Sequence, residues 1–315
     1  MLPSPIPGAP NAVRVALFLF LALAARAAIA QNPHTQSPAS VKVSTEVVNV
    51  LAIVRDGSDH LIPNLNQADF ELSEDGRPQQ ITYFSRETDT PLRLGILIDT
   101  SPSQRRVLPV EKREAKAFIR QVMRPQDLAF ILRFDRRIEP LQPFTGDPEL
   151  LSQAIDSIAK TAPATRLYDA VCAASDVMKQ QEARKVLILL TDGFDTRSHT
   201  SLRAATHAAQ EADVVIYSIA VRDPLFSFMP LYSLRADRTL KKLSDATGGR
   251  VIRVNRGRDV AGAFGEVAQE LRTQYLLGYS SSNTPHDGSF RRIRVRLREG
   301  NYSVQVRRGY YAPSE

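Results

Sequence analysis

The chain has 315 residues, of which 43% are hydrophobic and 24% are charged. This composition is ordinary for a globular protein, so the core needs no disulfide or metal cross-links to be stable. The single cysteine excludes a disulfide within the chain. The net charge of +7 is a moderate excess with no basic block beyond short arginine pairs, which argues against nucleic acid as a partner and favours an anionic protein surface.

The first thirty residues have the pattern of a secretory signal peptide. Arg14 precedes an apolar run over 15–25, and Ala28-Ile29-Ala30 has the small-x-small pattern of a cleavage site. The run is short for a membrane span and Arg26 follows it, although an uncleaved signal anchor is the alternative. We therefore predict removal of 1–30, which lowers the net charge from +7 to +5, and export to the periplasm or the outside with no membrane span left.

After a polar linker at 31–40, the chain has a β-type pattern over 41–88. Valines recur at alternate positions, and Asp75-Gly76 lies between Phe70–Glu74 and Gln79–Phe84, which predicts a hairpin. These strands are too few to bury both of their faces alone.

Residues 89–273 alternate between apolar runs and helical patterns. The runs ending at Ile98, Phe134, Leu190, Val221 and Val254 predict buried strands, and the proline-bearing 139–144 predicts an edge strand. Helical patterns lie at roughly 201–212, 237–246 and 258–273. Such alternation predicts a doubly wound, mostly parallel, Rossmann-like sheet.

The β pattern returns over 274–315, at 275–279, 290–297 and 302–307. We interpret these strands as the missing part of the N-terminal β unit. The fold class predicted for the chain is thus an α/β domain inserted between two halves of a small β-sandwich.

Oxygen-bearing side chains follow two of the buried strands. Asp99-x-Ser101-x-Ser103 comes directly after one apolar run, and Asp192 follows another in a Thr-Asp-Gly turn. Thr165 stands before a helical pattern, where a hydroxyl is a natural N-cap or loop ligand. Because the carboxyl ends of parallel strands meet at one sheet edge, these oxygens predict a shell for a hard divalent cation.

This set of residues resembles the metal-ion-dependent adhesion site of von Willebrand factor type A domains, complete and in the same order. The flanking sequence is similar to a family of secreted bacterial proteins with this domain, recognised mainly in acidobacteria. The similar stretches are Asp69-Phe70-Glu71-Leu72, Glu74-Asp75-Gly76 and Arg308-Gly309-Tyr310. One departure is Ala164, where a glycine commonly precedes the threonine.

The resemblance implies a site for Mg²⁺, or for Mn²⁺ or Ca²⁺, that binds an acidic residue of a protein ligand. It implies that Ser101 and Ser103 are direct ligands, while Asp99, Thr165 and Asp192 bind directly or through water. Hydroxyls coordinate without cancelling charge, so an ion with few carboxylates keeps its affinity for a partner carboxylate. No catalytic residue is predicted.

Other interpretations of the same residues stay open. Asp99 and Asp192 are placed as helix-capping acids would be. An aspartyl-phosphate hydrolase would use a carboxylate at position 99 as its nucleophile, but it would require an acid at position 101, where this chain has serine. An envelope protein whose metal only holds its loops is a third possibility. The five histidines show no zinc spacing, and no Gly-x-Ser-x-Gly motif is present.

Two surface features accompany the predicted site. The loop after Val221 carries Phe226, Phe228, Met229 and Tyr232 between prolines, either as aromatics packed on themselves or as an apolar contact patch. Arginines near the strand ends could steer an acidic partner or be ordinary surface residues: Arg105, Arg106, Arg136, Arg137 and Arg166.

Overall fold

The computed structural model describes residues 47–87, 90–159, 162–221, 230–254 and 259–314. The predicted signal peptide, the linker and the aromatic loop at 222–229 lie outside these ranges, as does the side chain of Tyr232. No helix within the described ranges has the length and apolar character needed to cross a membrane.

Two four-stranded antiparallel sheets combine strands from both ends of the described chain. The N-terminal strands are β1 (Val47–Arg55), β2 (Phe70–Glu74), β3 (Arg77–Gln79) and β4 (Ile81–Glu87). The C-terminal strands are β11 (Gln274–Ser280), β12 (Phe290–Leu297), β13 (Ser303–Gln305) and β14 (Gly309–Tyr311). One sheet has the order β13-β1-β11-β4 and the other β14-β12-β2-β3, so each sheet needs both halves.

The two sheets share one apolar core. Alternate residues of β1, such as Val48 and Val50, pack with Tyr275, Leu277 and Tyr279 of β11 in this core. Val295 of β12 and Leu72 of β2 enter the same cluster from the other sheet. The period-two pattern of the sequence thus buries one face of each sheet against the other.

The Asp75-Gly76 turn is present, but the strand predicted after it is divided. Both residues have positive φ, 47° and 83°, as a two-residue hairpin turn requires. β3 pairs with β2 in one sheet, whereas β4 pairs with β11 in the other. The prediction of one continuous strand over 79–84 was therefore wrong, because the chain crosses between sheets at Gln80.

The central sheet has six strands in the order β10-β9-β8-β5-β6-β7. These are β5 (Leu92–Asp99), β6 (Leu128–Phe134), β7 (Ile138–Thr145), β8 (Arg184–Thr191), β9 (Val214–Val221) and β10 (Val251–Val254). All neighbours are parallel except β7, the predicted edge strand, which is antiparallel to β6. The predicted fold class is confirmed.

Helices cover both faces of this sheet. They are α1 (Leu108–Val122), α2 (Pro148–Asp156), α3 (Leu167–Lys179), α4 (Leu202–Glu211), α5 (Pro230–Thr247) and α6 (Val260–Arg272). The apolar stripes of α1, α2 and α6 pack in one core, and those of α3, α4 and α5 pack in the other. Side chains at the N-terminal ends of two helices satisfy free N–H groups: Asp147 accepts from Glu149 N and Ser201 from Ala204 N.

The strand order reverses at β5. The chain proceeds outward through β6 and β7 and then returns to the opposite side of β5 with β8. Ligands of open α/β sheets bind at such a switch point, outside the carboxyl ends of the strands. In this chain the two strands at the switch point end at Asp99 and Thr191.

Candidate metal centre

Asp99 ends β5 inside the protein, with no exposed surface. The backbone N–H of Ser101 donates to its Oδ1 at 2.9 Å, and the Thr191 hydroxyl donates to its Oδ2 at 2.6 Å. Its carboxylate is therefore fixed between the loop after β5 and the end of the neighbouring strand β8. The sequence analysis did not single out Thr191, although it directly precedes Asp192.

The two serine hydroxyls lie side by side. Ser101 Oγ is 3.0 Å from Ser103 Oγ, with Ser101 buried and Ser103 half-buried. A single 3-10 turn over Pro102–Gln104 produces this arrangement, because Gln104 N donates to Ser101 O. Adjacent ligands of an octahedral Mg²⁺ with bonds of about 2.1 Å lie about 3 Å apart, so the separation of the two hydroxyls suits one ion.

Asp192 follows β8 in a turn that only glycine permits. Gly193 has φ of +86°, and a Cβ there would lie 2.8 Å from Leu240 and 2.9 Å from Ala236 O of α5. The Phe194 N–H donates to Asp192 Oδ1 at 3.1 Å, and the Asp192 side chain is buried. The turn thus holds a second carboxylate rigidly at the sheet edge.

The electrostatics of the two carboxylates favour a cation. Burial, and then the charge of Asp192, raise the pKa of Asp99 to about 7. Two buried carboxylates that repel each other are unfavourable when both are ionised, and a bound cation removes that cost. The environment is therefore better suited to a bound ion than to two bare acids.

Thr165 lies in a loop tied to both neighbouring loops. Its N–H donates to Thr196 Oγ1 at 2.9 Å, and its carbonyl accepts from Thr196 N and Arg197 N, so it is bound to the loop after Asp192. The next residue, Arg166, donates through its N–H to Asp135 O at 3.0 Å, at the end of β6. Asp135 in turn accepts from the Thr100 hydroxyl at 2.9 Å, which joins the Asp99 loop.

The hydroxyl of Thr165 does not cap the following helix. The N-cap residue of α3 is Arg166, and no side-chain hydrogen bond caps the helix at that position. Thr165 is only 4% exposed. The N-cap alternative was therefore wrong, and the alternative that Thr165 is a loop ligand stays a prediction.

The backbone of Ala164, the residue before Thr165, is strained. Ala164 has φ of +86°, in the left-handed region that glycine occupies without strain. This is the position at which the sequence departs from the glycine common in von Willebrand factor type A domains.

The five predicted ligands all offer oxygen atoms. Hydrogen bonds join Asp99, Ser101 and Ser103, and adjacent strands bring Asp192 to Asp99, while Thr165 is bound through its backbone to the loop after Asp192. That all five side chains share an ion stays a prediction. Within the described ranges no three His, Cys, Asp or Glu side chains are placed to hold a metal, so this site depends on its hydroxyls.

Nearby Asp169 has a different role. Its carboxylate accepts from the Thr200 hydroxyl and N–H, from His199 N, and from the Arg166 guanidinium. Burial would raise the pKa of Asp169, but these hydrogen bonds hold it well below its usual range. Asp169 thus fastens the 198–200 loop to α3.

Comparison with known proteins agrees with this architecture. Residues 94–194 match the family model of the von Willebrand factor type A domain. The chain therefore carries a von Willebrand factor type A domain, as its sequence motif predicts. The finer resemblance, to secreted proteins recognised mainly in acidobacteria, stays a prediction. No curated protein matches the chain.

Solved structures with similar folds are distant in sequence. An aerotolerance-related membrane protein from Bacteroides fragilis is 16% identical, with a TM-score of 0.45, over 57% of this chain and 98% of that one. The von Willebrand factor domain of the type V pili tip protein Mfa5 from Porphyromonas gingivalis is 14% identical, with a TM-score of 0.46, over 57% and 94% of the two chains. Proximal thread matrix protein 1 from the mussel byssus is 15% identical, with a TM-score of 0.49, over 63% and 51%.

Proposed function

We propose that this chain is an exported protein-binding module that grips an acidic side chain of its partner through a divalent cation, Mg²⁺ or a similar ion. Asp99, Ser101, Ser103, Thr165 and Asp192 would hold the ion. The observation that carries the proposal is the pair of serine hydroxyls 3.0 Å apart beside the buried carboxylate of Asp99. Export is proposed from the pattern of the first thirty residues.

The number and type of ligands explain why a partner could bind. An octahedral shell has six positions, and the chain offers five side chains, so at least one position is left for a group from outside. Two carboxylates balance the charge of a divalent ion without any excess, and the three hydroxyls add none. A bound ion would supply the positive charge that attracts a partner carboxylate.

Exposed arginines near the strand ends support an acidic partner. Arg105 follows the serine turn, and Arg136 and Arg137 follow β6, and all three are exposed. Positive charges around a binding site raise the rate of encounter with an acidic surface. Arg166, also predicted to steer, is half-buried and paired with Asp169 at 2.8 Å, so it contributes less.

Two measurements test the proposal. Calorimetric titration of the chain with MnCl₂ should give one site, and that site should be lost in Asp99→Asn and weakened in Ser103→Ala. Ser157→Ala, which removes a hydroxyl that donates to Ala154 O at the end of α2, is the matched control and should bind as the natural chain does. Absence of a stoichiometric site in the natural chain would contradict the proposal.

The binding role is tested by affinity capture from the envelope fraction of the native organism. A protein retained with Mg²⁺, released by EDTA and not retained by the Ser103→Ala chain supports adhesion. Turnover of a phosphoester that depends on Asp99 would instead support a hydrolase. Metal-dependent melting without any metal-dependent capture would reduce the ion to a structural role.

A further inference from the structure

A third acid lies buried in the first turn of α1, close in sequence to the serine turn. Glu111 belongs to the stripe of α1 that packs into the core, together with Leu108, Ala115 and Phe118. It has no exposed surface, and neither of its carboxylate oxygens has a hydrogen-bond partner within the described part of the chain. Buried polar groups in native proteins are nearly always paired, so this carboxylate calls for an explanation.

The electrostatic surroundings of Glu111 connect it with the predicted ligands. Burial raises the pKa of Glu111, and the charges of Asp99 and Asp192 raise it further. Both aspartates therefore act on Glu111 from within the same buried region. Glu111 lies in the first turn of α1, where the helix dipole stabilises a negative charge. No N–H group of that turn donates to its carboxylate oxygens.

A second orphaned oxygen lies in the same part of the fold. Gln104, directly after Ser103, is fully buried, and its Nε2 lies 3.4 Å from Val221 O at the end of β9. Its Oε1 has no partner among the described residues. Glu111 and Gln104 thus leave three buried acceptor oxygens without donors beside the carboxyl ends of the central strands.

Water bound to a metal ion is the kind of donor these oxygens lack. Such a water directs its oxygen at the ion and both of its hydrogens outward, so it donates and does not accept. Mg²⁺ in particular keeps several waters when it binds to proteins. Direct ligation by Glu111 is not supported, since no three acidic, His or Cys side chains of the described ranges are placed to hold one ion.

We propose that Glu111 is a third carboxylate of the metal centre, which faces the ion through a bound water and strengthens cation binding by its charge. The inference rests on the proposed function, because it needs an ion at Asp99, Ser101 and Ser103. Glu111 is a positioning residue: it orients the water and adds a negative charge near the ion. Partners in this outer position typically change metal affinity by 10- to 100-fold.

The test is the affinity of the full chain for MnCl₂ and MgCl₂, measured by calorimetry for the natural chain and Glu111→Gln. The neutral variant has the same size, and we expect it to bind about 10- to 100-fold more weakly. Glu114→Gln is the control, because Glu114 lies on the same helix and its carboxylate is already paired with Arg113. It should bind as the natural chain does.

Thermal melting separates this role from a structural one. Without metal, Glu111→Gln should melt at or above the temperature of the natural chain, because it removes a buried, unpaired acid. With saturating Mg²⁺ its rise in melting temperature should be smaller. A metal-free variant that melts well below the natural chain, with unchanged metal affinity, would overturn the inference and assign Glu111 to the core.

The outcomes also separate the inference from the proposed function. Equal affinities of the natural chain and Glu111→Gln overturn the inference and leave the proposed function standing. Absence of binding by the natural chain overturns both. If Glu111→Gln does not fold, Glu111→Asp and Glu111→Asn replace it: the charged variant should bind more tightly than the neutral one, and equal binding overturns the inference.

Discussion

The backbone of Ala164 is strained at the residue that precedes a predicted metal ligand. A non-glycine residue in the left-handed region costs roughly 1–2 kcal/mol, and Ala164 has φ of +86°. Ala164→Gly relieves that cost but adds entropy to the unfolded chain, worth roughly 0.4–1 kcal/mol. We expect a net gain in the free energy of unfolding of up to about 1 kcal/mol, measured by urea denaturation.

Ala117→Gly is the matched control, because Ala117 is exposed in the middle of α1. There glycine has no strain to relieve and should lower the free energy of unfolding by about 1 kcal/mol. Opposite signs for the two alanine-to-glycine changes are therefore expected. Destabilisation by both would show that the loop carries no strain.

Asp169 makes stability depend on pH at the acidic end. Its folded pKa lies below the unfolded value, so the stability it contributes is complete above about pH 4 and is lost as the pH falls through the folded pKa. Asp169→Asn should lower the free energy of unfolding by about 2 kcal/mol at pH 7. At pH 3 the difference from the natural chain should be about 1 kcal/mol smaller.

The exposed Asp176, on the same helix α3, provides the comparison for Asp169. Asp176→Asn should change stability little at either pH. Denaturation curves of the natural chain, Asp169→Asn and Asp176→Asn at pH 7 and pH 3 test this prediction. If the free energies of unfolding of the natural chain and Asp169→Asn differ by the same amount at pH 7 and pH 3, the charge of the carboxylate does not contribute to stability.

Single residues differ in how far their sequence predicts their role. Asp99, Ser101 and Ser103 stand where an apolar strand stops, and the structure joins them by hydrogen bonds. Glu111 gives a weaker signal, an acid in the apolar stripe of a helix, and its burial is visible only in the folded structure. The bond from Thr191 to Asp99 depends on the strand order, which no local pattern contains.

Among the elements, strand β1 and helix α6 are joined by a buried ion network. Glu270 of α6 is fully buried and accepts from the guanidinium of Arg55, at the end of β1, and from that of Arg250. Glu270→Gln would remove the buried anion that both arginines share and leave them only their more exposed partners, Asp59 and Glu266. We expect a loss of about 3 kcal/mol in the free energy of unfolding, measured by chemical denaturation.

Glu266 tests whether burial is the cause. It also pairs with Arg250, at 2.5 Å, but its side chain is 48% exposed. Glu266→Gln should cost less than about 1 kcal/mol, as exposed pairs do. Similar losses for the two variants would contradict a special role for the buried network.

Elements were predicted well where one pattern was strong, and less well where tertiary context decided. The apolar strands β8 and β9 and the edge strand β7 were all predicted. The division of 77–87 into β3 and β4 was not, because an unbroken β pattern does not show which sheet each part joins. The predicted N-cap of α3, Thr165, was also wrong. The N–H of Tyr168 in the first turn donates instead to Asp195 and Ser198, which are distant in sequence.

For the whole molecule, the interleaved sandwich makes the two ends of the chain depend on each other. β11 lies between β1 and β4 in one sheet. A chain shortened after Thr273 therefore leaves both N-terminal strands without a partner. In hydrogen exchange followed by mass spectrometry, the amides of Val47–Arg55 should exchange at the rate of an unfolded chain.

The central sheet provides the internal reference for this experiment. β5 and β8 pair only with strands of the inserted domain, so their amides should stay protected in the shortened chain. Protection of β1 without β11 would contradict the insertion. The domain limits proposed from sequence, at 88/89 and 273/274, are tested by the same data.

The insertion was predictable because each half of the sandwich has too few strands to bury its own apolar face. The pairing within it was not, because β1 contacts β11 across more than 200 residues of chain. Fold-level reasoning likewise predicted that Asp99 and Asp192 meet at one sheet edge, and they lie at the ends of the neighbouring strands β5 and β8. Helix α1 and its buried acid, Glu111, were found only in the structure.

A crystal of the protein grown with MnCl₂, with diffraction recorded at a wavelength where manganese scatters anomalously, tests the central claim most directly. One strong anomalous peak should lie about 2 Å from Ser101 Oγ and Ser103 Oγ, with Asp99, Thr165 and Asp192 bound directly or through water. A peak elsewhere, or none at the carboxyl ends of β5 and β8, would contradict the metal centre and the binding role built on it.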